Sequence, residues 1–162
     1  MADASQYTPL GAILNREQNE TEAWLPVASE AGVLASSLGR ILLPPRYAPL
    51  PNGGYRLYAP KPRFGCATRS ASEARHSYMS IMVYGGDHPN RQRPRKVHQL
   101  VCEAFHGPKP FPDAVVIHEN EDAHDNRAVN LRWGTQKENL NAPGFKHWVR
   151  RPMALRRRGF TA

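Results

Sequence analysis

Short apolar runs separated by glycine, serine and proline dominate the first two thirds of this chain, and the period changes only near residue 97. Trp24-Leu25-Pro26-Val27 and, after Gly32, the stretch Val33 to Ile41 are brief hydrophobic runs between turn formers, a pattern that predicts small strands. Residues 1–23 are polar, with a short helix expected around Leu10–Arg16 and otherwise an extended arm. Residues 43–53 are rich in proline, and Asn52-Gly53 signals a turn. Tyr55-Arg56-Leu57-Tyr58 alternates as a hairpin strand would, residues 59–76 read as a basic loop, and Tyr78 to Tyr84 is a strand closed by Gly85-Gly86. Residues 87–96, which hold Arg91, Arg93, Arg95 and Lys96, read as a polar loop.

From Val97 the spacing becomes helical. Val97, Leu100, Val101, Ala104 and Phe105 share one face, and Gly107, Pro108 and Pro110 end the segment. Ala114-Val115-Val116-Ile117 reads as a short buried strand, His118 to Asn126 as a polar loop, and Ala128 to Trp133 as a second strand. Thr135-Gln136-Lys137-Glu138 has the form of a capping box, so a helix starts just after Thr135 and stops near Pro143. The expected class is α+β, with a polar arm over 1–23, a β-rich module over 24–96, a strand–loop–strand–helix unit over 97–142 and a basic tail over 143–162.

Composition narrows the function classes. The 162 residues form one domain, or one domain with a small appendage, long enough to bury a core without disulfides or metals. No run approaches the roughly 20 apolar residues that cross a bilayer, and no basic segment followed by an apolar one marks a secretory signal. No membrane partner is therefore expected. Two cysteines, Cys66 and Cys102, are too few for a disulfide framework or a cysteine-pair zinc site and suit a reducing, cytoplasmic setting.

The net charge of +8 is unevenly spread. Residues 40–100 carry eleven bases and two acids, and residues 142–162 six bases and no acid, while residues 1–39 and 101–141 are net acidic. Two basic blocks around an acidic one favour a polyanion held against a catalytic or metal centre, because each phosphate neutralised releases condensed counterions.

Three residues of the strand–loop–strand–helix unit carry candidate chemistry. His118 follows a buried strand, and Asn130 and Asn139 lie 12 and 21 residues later. A hairpin packed on a helix can bring His118 and Asn139 across a small cleft. A neutral imidazole can take a proton from water near pH 7, and an asparagine oxygen is a hard ligand suited to Mg²⁺ or Mn²⁺.

Val97-His98-Gln99-Leu100-Val101-Cys102-Glu103-Ala104-Phe105, Val116-Ile117-His118-Glu119-Asn120-Glu121-Asp122, Asp125-Asn126-Arg127, Asn130 to Thr135 and Glu138-Asn139 together resemble an HNH endonuclease, in particular the His-Asn-Asn group of phages and phage intron homing enzymes. Trp24 to Ile41, with Ser37-Leu38-Gly39-Arg40, resembles the small DNA-binding module that often precedes this unit. The resemblance implies a ββα-metal (His-Me finger) fold that hydrolyses phosphodiesters of double-stranded DNA with one divalent ion, Mg²⁺ or Mn²⁺. It implies that His118 is the general base, that Asn139 is a metal ligand, and that Asn130 braces the loop and helps hold the base. The expected DNA contacts are Arg40, Arg91, Arg93, Arg95, Lys96, His98, Arg127 and Arg132. The family often places Asp or Asn just before the base histidine as a second ligand, and here that position is Ile117. Either Asn139 is the lone protein ligand, with phosphate oxygens and water completing the shell, or Asn120 or Asp122 approaches, or the site is weak. Two rivals to the nuclease remain from the sequence: a DNA-binding protein that keeps this fold without cutting, and a basic RNA-associated protein.

Overall fold

The computed structural model describes residues 13–14, 21–67, 78–84, 92–144 and 146. Most of the 1–23 arm, residues 68–77 of the expected basic loop, Gly85-Gly86 to Arg91 and the basic tail beyond 146 lie outside the described residues.

Five small sheets and two helices make up the described fold, which is α+β. Ile13–Leu14 is a strand (β1) paired antiparallel with Thr21–Glu22 (β2), not part of a helix. A helix of the expected length is marginal by itself, and cross-strand pairing satisfies these backbone groups instead. Trp24–Pro26 (β3), Leu34–Ser36 (β4) and Ile41–Leu42 (β5) form the expected small antiparallel sheet.

Arg46–Pro49 (β6) pairs with Tyr55–Tyr58 (β7) in a two-stranded ribbon. The prolines obscured β6 in the sequence, but a strand with one partner tolerates a missing N–H on its outer edge. Cys66–Ala67 (β8), Met79–Tyr84 (β9) and Gln92–Lys96 (β10) form a three-stranded sheet with β9 in the centre. The polar loop expected up to residue 96 is therefore a strand from Gln92. Its segment has no apolar pattern; it is held by pairing with β9 and by charge. Arg93 Nη2 lies 2.7 Å from Glu30 Oε2, Arg95 also pairs with Glu30, and Glu30 is buried.

Helix α1 (Val97–His106) begins directly after β10 and is the hub of the molecule. Its buried face, Val97, Leu100, Val101 and Cys102, belongs to one hydrophobic cluster with Val27, Val33, Ala35 and Ile41 from the N-terminal sheet, Ile81 and Val83 from β9, and Ala128 and Leu131 from the C-terminal unit. The buried core thus runs continuously across residue 96. Val115–His118 (β11) pairs antiparallel with Leu131–Gly134 (β12), with His118 opposite Leu131. Ala128–Asn130, expected as the start of that second strand, is a single 3-10 turn. Helix α2 (Gln136–Asn141) opens on a complete capping box: Thr135 Oγ1 accepts the Glu138 N–H at 3.2 Å, and the Thr135 N–H donates to Glu138 Oε2 at 2.7 Å.

Candidate active site

The loop between β11 and β12 is built from asparagine and aspartate side chains that close on backbone groups, the residue types that form such local turns most readily. Asn130, buried, is its staple. Its Oδ1 accepts the Asn120 N–H at 3.0 Å, and its Nδ2 donates to Asn120 Oδ1 at 2.9 Å and to the Asp125 carbonyl at 2.8 Å. Asp125 pairs with Arg127 through both carboxylate oxygens, at 2.9 and 2.7 Å. These bonds hold the chain rigid on both sides of His118.

His118 ends β11, half-buried, with Nε2 3.4 Å from Asn126 Oδ1. Burial holds its pKa below the ordinary histidine value, against the opposing pull of the Asn126 hydrogen bond and of Asp122 and Asp125. The imidazole is therefore neutral at pH 7. With Nε2–H given to Asn126, the lone pair sits on Nδ1. Asn126 is the ring's hydrogen-bond partner, and Asn130 acts on the ring only through the loop. The sequence contains Asn126 inside the quoted motif, but nothing in its spacing separates it from the other loop asparagines.

His118 and Asn139 line the same cavity of about 40 Å³, together with Tyr78, Ile117, Glu121, Ala123 and Ala142. The capping box sets the start of α2, and the Asn139 N–H closes its first turn on the Thr135 carbonyl at 3.1 Å, so this short helix presents Asn139 to the strand that carries His118. The volume is of the order needed for a cation or a few waters. Among the described residues no cluster of three or more His, Cys, Asp and Glu side chains is placed to hold a metal. A divalent ion here would rely on oxygen donors such as the Asn139 carboxamide, with water and phosphate, a set that fits Mg²⁺ or Mn²⁺.

Behind His118 sits His98. Its ring is 5.3 Å from that of His118 and 4.8 Å from that of Tyr78, both edge-on. It is buried, and its pKa is pushed down to about 3 by desolvation first and by neighbouring His118 and Lys96 second. A buried neutral ring is poorly placed for the phosphate contact expected of His98, and the structure packs it against His118 and Tyr78 instead.

The arginines divide in the same way. Arg40 is bound to buried Glu22, with Nε 2.9 Å from Oε1, and lies over the Trp24 ring. Arg93 and Arg95 converge on Glu30, and Arg95 Nη2 donates to Ser29 Oγ at 3.3 Å. All three are tied to buried carboxylates, with Arg40 and Arg95 mostly covered and Arg93 still partly exposed. Lys96 lies 5.7 Å from the Tyr78 ring. Arg127 and Arg132 are about half exposed beside the β11–β12 loop, the latter paired with Glu119 and with Glu138. Arg91 lies outside the described residues.

Residues 95–141, the segment that holds His118, Asn130 and Asn139, match the family described as HNH endonuclease. A solved structure reported as "DNA binding and cleavage by the HNH homing endonuclease I-HmuI" is similar at 22% identity and a TM-score of 0.44, covering 76% of this chain. The similarity covers 60% of that chain. No curated protein sequence matches this one.

Proposed function

We propose that this protein is a metal-dependent HNH endonuclease of nicking or homing type that hydrolyses DNA phosphodiester bonds. The observation that carries the reading is a neutral, half-buried His118 lining one small cavity with Asn139. In this reading His118 Nδ1 accepts the proton of the attacking water, while Asn126 holds the ring through Nε2. Asn139 supplies a protein ligand for Mg²⁺ or Mn²⁺; when bound, such an ion stabilises charge on the leaving oxygen. Asn130 keeps the loop, and hence the base, in place.

Residues 24–96 would grip the duplex. From Ala31 to Ser72 the chain has no Asp or Glu, and the β6–β7 ribbon is largely exposed, with Tyr47, Tyr55 and Leu57 at least half open to solvent. At its base a cavity of about 410 Å³ is lined by Arg46, Lys61, Arg63, Tyr58 and Tyr84 among others, with the Arg46 guanidinium 4.2 Å from the Tyr84 ring centre. Arg91, Lys96, Arg127 and Arg132 would add phosphate contacts nearer the site. Phosphate contacts position the duplex and carry the salt dependence, while base edges carry any specificity. The exposed Cys66 and buried Cys102 are both free thiols, which suits action in the cytoplasm.

The test is nicking of supercoiled plasmid with Mg²⁺ or Mn²⁺, with and without chelator. Removing a positioned general base costs about 10²–10⁴ in rate, and His118→Ala should fall in that range. Asn139→Ala should be slow and should recover partly at high metal concentration. Equal cutting by both variants and the wild type would reject these roles. Ile117, buried and unable to ligate, favours a second reading: a DNA-binding protein that keeps the HNH fold but cuts weakly or not at all. That reading expects salt-sensitive duplex binding and no chelator-sensitive cleavage after long incubation.

A further inference from the structure

We propose that Glu121 supplies the carboxylate ligand that position 117 lacks, giving the divalent cation a Glu121–Asn139 pair of protein ligands. The inference rests on the metal-dependent reading above and adds a residue to it.

Ile117 is closed as a ligand position. Its side chain is buried, and its Cδ1 fills the space beside Gly134, where any added Cβ would collide with it. Asn120 and Asp122, the neighbours that the sequence offers as substitutes, do not line the cavity. Asn120 is consumed by the loop: its Nδ2 donates to Asp125 at 2.8 Å, and its Oδ1 accepts from Asn130 and from the Asp122 N–H. Asp122 accepts the His124 N–H at 2.9 Å and is exposed.

Glu121 lies between them and does line the cavity, with His118 and Asn139. Its backbone is left-handed, with φ of 60°, the only such non-glycine among the described residues. Glycine would occupy that conformation without strain, and strain of this kind collects where a side chain is needed in place. The Glu121 N–H donates to the His118 carbonyl at 3.1 Å, so the turn that carries the carboxylate is anchored on the base itself. The carboxylate is also oriented: Oε1 accepts the Gly144 N–H at 3.1 Å, just beyond α2, the helix that carries Asn139. A carboxylate has about four lone-pair directions, so a hydrogen-bonded carboxylate can still ligate a cation. A neutral carboxamide alone binds a divalent ion weakly, and ligand charge is a main determinant of affinity for hard cations. Glu121 brings that charge to the cavity.

Mn²⁺ titration of the full chain, followed by electron paramagnetic resonance and by the metal-induced rise in Tm, tests this without reference to cleavage. Glu121→Gln keeps the size of the side chain and removes its charge; it should weaken Mn²⁺ binding by at least about tenfold and abolish most of the Tm rise. Glu121→Gly should lose binding equally while raising the Tm of the metal-free protein, because it relieves the left-handed backbone. Wild-type binding that Glu121→Gln leaves unchanged would overturn this assignment alone. A Glu121→Gly variant less stable than the wild type without metal would mark Glu121 as a structural brace and overturn it too. A wild type that binds no Mn²⁺ would overturn the metal-dependent reading together with this one.

Discussion

At the scale of single residues, the site is governed by desolvation. The His98 ring packs edge-on against those of His118 and Tyr78, while the His118 ring lies roughly parallel to that of Tyr78, and both histidines lose affinity for protons because the charged ring would be stripped of water. For His118 this keeps the base form populated down to lower pH, so the acid limb of the cleavage profile should fall below the ordinary histidine value. For His98 the consequence is stability. Its folded pKa of about 3 lies below the unfolded value of 6.5, so the unfolded chain binds the extra proton. Its contribution is complete above pH 6.5 and is lost progressively as pH falls toward 3, by up to about 5 kcal/mol in all. Urea unfolding at pH 7 and pH 5 should show this drop. His98→Phe, which keeps the aromatic contact without titrating, should flatten it; an unchanged slope would place the pH dependence elsewhere. His118 at the end of β11 was readable from the sequence because it follows an apolar run. Glu121 was not, since a left-handed turn that places its carboxylate has no mark in composition or period.

At the scale of elements, the loop between β11 and β12 depends on a turn far from it in sequence. Gly39, with φ of 83°, follows β4, and a Cβ added there would lie 2.8 Å from the Asn126 backbone. The Ala128 N–H donates to the Ser37 carbonyl at 2.9 Å. The N-terminal module therefore presses directly on the residue that holds the His118 ring. Gly39→Ala meets both a forbidden approach and an unfavourable φ, and should cost about 1–3 kcal/mol. It should also slow cleavage at pH 7 in the protein that remains folded, through displaced Asn126. Normal activity with lowered Tm would show that the contact is structural only. The elements that the sequence misplaced share one cause. β6, β10 and the β1 segment have no hydrophobic alternation of their own, and each exists because a neighbouring strand or a buried carboxylate pairs with it. The strongly patterned elements, β9, α1 and the capped α2, lie where the spacing puts them.

At the scale of the whole molecule, α1 takes its packing partners from both sides of residue 96. Val27, Val33, Ala35 and Ile41 cover one part of its apolar face, and Leu131 and Ala128 another. A fragment that begins at residue 92 would expose Val97, Leu100 and Val101. Exposure of several such side chains costs about 1.5–3 kcal/mol each, comparable with the whole stability of a small domain. Such a fragment should show little cooperative unfolding by heat or urea, whereas the full chain should unfold in one transition. A sharp transition in the fragment would establish this segment as an independent folding unit. No helix among the described residues is long and apolar enough to cross a membrane.

The amino-acid sequence alone determined the period-3.6 face of α1, the capping box of α2 and the order strand–loop–strand–helix that carries His118, Asn130 and Asn139, because each depends on residues near one another in the chain. Tertiary structure decided which charges remain available and which oxygens reach the cavity. Arg40, Arg93 and Arg95 pair with Glu22 and Glu30, which are buried beside them, and the folded loop brings Asn126 to the His118 ring and Glu121 to the cavity. A buried ion pair or a cavity wall is made by residues brought together only when the core closes, and local pattern has no period for that.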